Sequence, residues 1–182
     1  MMRMRRLLCI TAVLNSLFLL PASAQTPNTG LIGVGGDLGV FFPDEAQEKA
    51  LTLDGFGEFY FTPRASLRGM FSWASPGFEN RTEDHFRQFR ILFNGVYNWE
   101  MGTWHPFVTA GAGFYFVREI FDNAADPDSE TRGGLNFGGG AEYFMDNRSS
   151  IKGEARWDVV SQPSGFPDAT GFTLTIGYKR YF

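Results

Sequence analysis

Two histidines, His85 and His105, are the only imidazole side chains in the 182-residue sequence. An imidazole within hydrogen-bond reach of a serine would activate that serine for acyl transfer or ester hydrolysis. Ser72 and Ser75 precede His85 closely enough for a loop to bring one of them near it, but no serine lies two residues from a histidine on one strand face. We therefore predict no catalytic residues.

A run of carboxylates supplies the side chains that calcium prefers, but their spacing is loose. They lack the central glycine and the twelfth-position glutamate of an EF-hand loop. The glycines of Gly33–Gly36 and Gly111–Gly113 would need a following helix to hold phosphate, and the sequence indicates none. We predict that the carboxylates lie in a solvated acidic loop and that the glycines lie in strands. We also predict no metal site and no cofactor. The carboxylates are Asp122, Asp126, Asp128 and Glu130.

The first 24 residues have the organisation of a secretory signal peptide. Three arginines precede the apolar stretch Leu7–Leu20, and Ala22-Ser-Ala24 matches a cleavage site before Gln25. Removing three arginines from the 16 basic residues leaves 13 against 20 acidic residues, a net charge of −7. That charge argues against binding to nucleic acid or to anionic headgroups. We predict residues 1–24 as a signal peptide that is removed and residues 25–182 as one domain.

From residue 30 onward, apolar and polar residues alternate with a period of two, which indicates β-strands. Each segment is close to the ~9–11 residues that a tilted strand needs to cross a bilayer, whereas strands of soluble proteins are usually nearer five or six. The content of 22 glycines and 16% aromatic residues fits an all-β chain. The eight segments are Gly30–Phe42, Thr52–Thr62, Ala65–Ala74, Phe86–Trp99, His105–Val117, Arg132–Met145, Ser149–Val159 and Thr170–Phe182.

The connections between these segments alternate between short and long. Those around Pro63, Met101 and Asn147 are tight, and the four others are longer and polar. Transmembrane barrels have short turns at one end and longer loops at the other. The pattern predicts an eight-stranded antiparallel up-and-down barrel with both chain ends on the side of the short turns.

The two faces of each segment differ in chemistry, and glycine indicates which face points inward. Charged residues and glycines share one face, and phenylalanine, leucine and isoleucine share the other. An exposed strand gains nothing from glycine, whereas a narrow barrel needs it to make room for long inward side chains. We predict the polar face inside and the apolar face against lipid. Aromatic girdles are expected at Trp99, Trp104, Tyr143 and Phe182 on the inner rim and at Phe41, Trp73, Phe116 and Trp157 on the outer rim.

In these features the chain resembles the OmpA/OmpX-type eight-stranded outer-membrane β-barrels over essentially all of Gly30–Phe182. The stretches that carry the resemblance are Tyr60–Arg68, Pro106–Gly113, Leu135–Tyr143 and the terminal Gly177–Phe182. The resemblance implies residence in the bacterial outer membrane among its lipids and lipopolysaccharide. It also implies insertion by the outer-membrane assembly machinery, with Phe182 and Tyr178 as parts of the assembly signal.

The predicted role is non-enzymatic, either structural or through binding of a partner by the outer loops, and we expect a monomer. The alternatives are an envelope enzyme acting on acyl chains of lipid A or phospholipid, and a narrow channel. A balance of six acids and five bases on the inward face favours a lumen closed by ion pairs. The tight turns predict Glu58 opposite Arg68 and Glu142 opposite Lys152, with Gly140 and Gly138 making room for Glu154 and Arg156. The predicted network consists of Glu58, Arg68, Arg90, Glu142, Lys152, Glu154 and Arg156.

Overall fold

The computed structural model describes residues 29–44, 48–75, 77–78, 81–120, 129–161 and 169–182, in which every regular element is a β-strand. Within these ranges no helix is long and apolar enough to cross a membrane. The strands are β1 (Ile32–Pro43), β2 (Ala50–Tyr60), β3 (Ala65–Ala74), β4 (Gly77–Phe78), β5 (Arg81–Asn98), β6 (Trp104–Ile120), β7 (Ser129–Asp146), β8 (Ser149–Val160) and β9 (Gly171–Tyr181).

Eight long strands pair antiparallel in chain order, and pairing of β1 with β9 closes them into a barrel. The two-residue strand β4 pairs only with β5, above the end of β3. Closure removes both sheet edges, so all backbone polar groups of the wall can be satisfied within the sheet. The prediction of an eight-stranded antiparallel barrel is confirmed.

The described strands alternate between residues that face the lumen and residues that face the exterior, except at the start of β8, where Ser149 and Ser150 are both buried. On β2, every second residue from Ala50 to Tyr60 is buried, whereas Leu51 and Leu53 between them are 68% and 59% exposed. The buried set of the whole barrel contains 24 polar or charged residues among those described. The polar face therefore points inward and the apolar face points outward, as the inward glycines predict.

Three neighbouring strands are longer than their hydropathy predicts. β5, β6 and β7 have 18, 17 and 18 residues. The end of β3 at Ala74 is paired with Gln88, and the end of β8 at Val160 is paired with Gly134, so the three strands continue beyond their neighbours. Backbone pairing among them decides their length, because apolar alternation marks only the part of a strand that faces lipid.

Short turns join the strands at one end of the barrel. In the β2–β3 turn, the Thr62 hydroxyl accepts hydrogen bonds from the Ala65 and Arg64 amides at 2.9 and 3.3 Å. The β5–β6 turn contains Gly102 at a φ of 69°, a conformation that side chains with a Cβ rarely adopt. These compact turns fix the register of the strands that they connect.

Candidate functional site

The lumen contains an unusual density of buried charge, and it is the best candidate site in the described residues. Each of its five central cations is at most 2% exposed. Six carboxylates on β1, β2, β7 and β8 are buried among them. The cations are Arg68, Arg90, Lys152, Arg156 and Lys179, and the carboxylates are Asp37, Asp54, Glu58, Glu142, Glu154 and Asp158.

The layer nearest the short turns is centred on Glu58 and Lys179. The register places Glu58 opposite Arg68, whose Nε donates to Glu58 Oε2 at 3.0 Å. Lys179 Nζ donates to Glu58 Oε2 at 3.1 Å and to Glu142 Oε2 at 2.8 Å. The Tyr181 hydroxyl also donates to Glu142. Charge-assisted hydrogen bonds therefore join β2, β3, β7 and β9.

The middle layer connects opposite walls of the barrel. Arg68 Nη1 donates to Glu154 Oε2 at 2.6 Å, and Lys152 Nζ donates to the same oxygen at 2.8 Å. Lys152 Nζ also lies 2.7 Å from Asp37 Oδ2. Arg68 on β3 thus reaches β8, which is not a neighbouring strand.

The layer nearest the long loops is centred on Asp158. Arg90 Nη1 donates to Asp158 Oδ2 at 2.8 Å, and the Tyr115 hydroxyl donates to Oδ1 at 3.0 Å. Arg156 lies 3.3 Å from Asp158 Oδ1 through Nε and 3.4 Å from Asp54 Oδ2 through Nη1. The three layers therefore distribute the ion pairs over successive levels of the lumen.

Glycines on β7 provide the volume for the long charged side chains of β8. Gly140 is paired with Glu154, and Gly138 with Arg156. A Cβ added to Gly140 would collide with the Gly153 carbonyl oxygen and with the Phe107 ring. These positions therefore require the close approach that glycine alone permits.

Aromatic rings occupy the space between the ion pairs. The Arg68 guanidinium lies 5.2 Å from the centroid of Phe56 and 5.3 Å from that of Phe107, distances that favour cation–π attraction. The buried inward residues include those predicted to fill the lumen: Phe56, Tyr60, Met70, Phe107, Tyr115 and Tyr181. Rings and guanidinium groups thus alternate along the inner face of the barrel.

One prediction about an individual side chain is wrong. Phe41, expected in the outer aromatic girdle, is fully buried, and the Arg90 guanidinium lies 4.9 Å from its ring centroid. Phe41 and the inward Asp37 are an even number of residues apart on β1, so the alternation of the strand turns both side chains inward. The prediction that Glu142 lies opposite Lys152 is confirmed by the register. The Glu142 carboxylate nevertheless binds Lys179, because Lys152 extends to Asp37 and Glu154.

The residues considered for catalysis or metal binding do not form a second site in the described part of the chain. His105 Nε2 lies 3.2 Å from the Gly102 carbonyl oxygen, and its ring packs on Phe144 with centroids 4.6 Å apart. The side chain of His85 and residues Asp122, Asp126 and Asp128 lie outside the described residues. Glu130 forms an ion pair with Arg132 at 2.9 Å. No described group of three His, Cys, Asp or Glu side chains could hold a metal ion.

The proposed elements of the assembly signal lie on the lipid-facing side of the closing seam. Tyr178 on β9 is 44% exposed and Phe182 is 75% exposed. The Phe182 amide donates to the Ile32 carbonyl at 2.9 Å, so the backbone at this end pairs with β1.

At the same rim, Arg64 Nε donates to Glu100 at 3.3 Å, a hydrogen bond that raises the pKa of the Arg64 guanidinium.

Comparison with known proteins identifies a family and several similar structures. Residues 10–179 match the model of the outer membrane protein beta-barrel domain. The outer membrane protein OprG from Pseudomonas aeruginosa has a TM-score of 0.69 at 13% identity, over 88% of this chain and 99% of that one. The N-terminal β-barrel domain of OprF from Pseudomonas aeruginosa gives 0.64 at 13% identity, over 86% and 100%. Ail from Yersinia pestis gives 0.56 at 15% identity, over 85% and 99%.

These identities are low, so the structural matches establish the fold alone. The search of curated proteins gives no match. The family model, by contrast, covers nearly the whole chain, including all but the last residues of β9. The chain therefore belongs to the outer membrane protein beta-barrel domain family and is a protein of the bacterial outer membrane.

Proposed function

We propose that this protein is a non-enzymatic barrel with a closed lumen, which stabilises the envelope or presents its outer loops to a partner. One observation carries the proposal: the guanidinium and ammonium groups of five inward cations are buried, and each lies within 3.4 Å of a carboxylate oxygen. In a water-filled passage these cations would be hydrated and would not need to form ion pairs with carboxylates.

The energetics of buried charge support a closed lumen. A charge removed from water without a partner costs several kcal/mol, so cations and carboxylates at this density must remain paired. Moving one pair apart to admit an ion would expose its neighbours in the same layer. The bases Arg68 and Lys152 share Glu154, and Arg90 and Arg156 share Asp158, which couples these movements.

Conductance in planar bilayers tests the closed lumen. The purified, refolded protein is expected to give no stable single-channel steps, and the matched control is the same preparation unfolded in denaturant before addition. Steady ohmic conductance from the folded protein alone would contradict the proposal.

The non-enzymatic part of the proposal is supported by the environment of His105. Its ring is engaged by the Gly102 carbonyl and by Phe144, and no described serine hydroxyl contacts it. Purified protein incubated with phospholipid or lipid A is expected to release no fatty acid and to transfer none. Acyl release that disappears in His85→Ala or His105→Ala would establish the alternative, an envelope enzyme.

We further propose export through residues 1–24 and assembly through the final strand. The signal peptide lies outside the described residues, and N-terminal sequencing of the exported protein is expected to begin at Gln25.

Phe182→Ala is expected to reduce insertion in cells through the assembly machinery while leaving refolding in detergent intact, because its ring is largely exposed. Equal losses in the two assays would mean that Phe182 acts through packing alone. Light scattering of the refolded protein is expected to give a monomer.

A further inference from the structure

Two arginines face each other on the outer wall of the barrel at the end that carries the long loops. Arg87 on β5 is paired directly with Arg118 on β6, and both side chains are exposed. Like charges directly opposite each other across a strand pair are destabilising. No carboxylate of the described residues forms an ion pair with either guanidinium. Among the described side chains, none therefore supplies a counter-charge that would offset this repulsion.

The position of this pair relative to the apolar band defines its surroundings. Five successive outward pairs of β5 and β6, from Tyr97–Val108 to Phe89–Phe116, contain no charge, and the arginines follow immediately. Arg87 and Tyr97 are 10 residues apart on β5. At about 3.3 Å per residue and a tilt of about 40°, this separation is about 25 Å along the membrane normal, the height of the apolar band of such barrels.

Aromatic rings mark the same boundary. Phe89 packs against Phe116 and against Phe71, with centroids 6.0 Å apart in both pairs. Trp73 is opposite Phe89 in the register and is 44% exposed. Such girdles lie where hydrocarbon meets headgroups. The two guanidinium groups, one step beyond this girdle, therefore stand at the level of the outer-leaflet headgroups.

We propose that Arg87 and Arg118 form a binding site for a phosphate group of an outer-leaflet lipid. A guanidinium binds phosphate oxygens through two parallel hydrogen bonds, and two guanidinium groups on adjacent strands can share one phosphate. The phosphate dianion supplies the counter-charge that no described side chain gives to this cross-strand pair. The negative net charge of the chain does not prevent local binding of phosphate, because the two guanidinium groups lie on directly paired residues, whereas six of the carboxylates are buried in the lumen and not beside them.

The opposite rim offers a control of the same charge. Arg148 and Arg180 are exposed near the short turns, and Arg180 Nη1 donates to Ser149 Oγ at 3.2 Å. They are 32 residues apart in sequence and are not opposite each other in the strand register, where Arg180 is paired with Ser149. Replacing both removes two positive charges without touching the outer rim.

The test titrates the refolded protein in detergent with bisphosphorylated lipid A and follows binding by native mass spectrometry. R87Q/R118Q is expected to bind about tenfold more weakly than the native protein, as loss of charge-assisted hydrogen bonds predicts. R148Q/R180Q is expected to bind as the native protein does, and R87K/R118K is expected to be intermediate because lysine lacks the planar fork. Heat-modified electrophoretic mobility verifies that each variant is folded.

Two further arms identify the ligand. Lipid A stripped of phosphate is expected to bind the native protein no better than R87Q/R118Q binds the intact lipid, and millimolar inorganic phosphate is expected not to displace the lipid. Equal weakening in both glutamine variants would reduce the effect to general basic charge and overturn the proposal. Unchanged binding by R87Q/R118Q and R87K/R118K, or full displacement by inorganic phosphate, would also overturn it. None of these outcomes depends on whether the lumen conducts.

Discussion

At the scale of the residue, Arg68 connects more of the lumen than any other single side chain described above. It donates to Glu58 on the neighbouring strand and to Glu154 across the lumen, and its guanidinium lies near the rings of Phe56 and Phe107. Removing it leaves two carboxylates buried with fewer partners. Uncompensated buried charge is more costly than the absence of an ion pair.

Arg68→Ala is therefore expected to lower the free energy of unfolding by about 3–5 kcal/mol. Glu58→Gln is expected to cost less, about 1–2 kcal/mol, because the amide still accepts hydrogen bonds and Lys179 keeps Glu142. Urea unfolding in lipid vesicles, followed by tryptophan fluorescence, measures both values.

Arg64→Ala is the control for this pair of variants. Arg64 is an arginine of the β2–β3 turn whose ion pair with Glu100 is exposed to solvent, so its loss is expected to leave the unfolding midpoint unchanged. If Arg68→Ala proved no more costly than Arg64→Ala, the ion pairs of the lumen would not contribute to stability.

At the scale of the element, the close contact of β7 with β8 depends on glycine. Gly138 and Gly140 point inward opposite Arg156 and Glu154, whereas Gly57 on β2 points outward. A Cβ at Gly57 would have no heavy atom within 4 Å. The same residue type thus has a packing role on one strand and none on the other.

Gly140→Ala is expected to destabilise the barrel by about 1–3 kcal/mol, because the new methyl group forces the β8 backbone or the Phe107 ring to move. Gly57→Ala, the matched control, is expected to change stability by less than about 0.5 kcal/mol. The measurement is the same urea titration in vesicles. Equal effects would show that β7 can move away from β8 without loss of packing.

At the scale of the whole molecule, the loops sort by length to opposite ends of the barrel. The chain turns at Asn147–Arg148 between β7 and β8, whereas β8 and β9 are separated by residues 161–170. Outer-membrane barrels carry their longer loops outside the cell and their short turns in the periplasm. The sequence contains one cysteine, Cys9, which lies in the predicted signal peptide.

Cysteine labelling of intact cells tests this orientation. The reagent is a bulky polyethylene glycol maleimide that cannot cross the membrane. Ser161→Cys is expected to react with it, and Asn147→Cys is not. Both exposed positions should react after the cells are permeabilised. The unsubstituted protein should give no product once the signal peptide is removed. The reverse pattern of labelling would mean that the barrel is inverted.

The sequence by itself determined the number of long strands, the face that each strand turns inward, and the register at the tight turns. Alternation with a period of two is local, and a turn as short as that at Thr62 admits one pairing, which places Glu58 opposite Arg68. It did not show that β5 to β7 continue past the apolar band, because pairing outside lipid leaves no hydropathy signal.

Only the tertiary structure decided which charges meet across the lumen. Glu142 binds Lys179 rather than the opposite Lys152, and Arg68 on β3 reaches Glu154 on β8. These contacts join side chains from strands that barrel closure brings together, and long side chains reach past their own level to the nearest opposite charge. Pairing of neighbouring strands is set by local turns, whereas contact across the lumen depends on how all eight strands tilt and close at once.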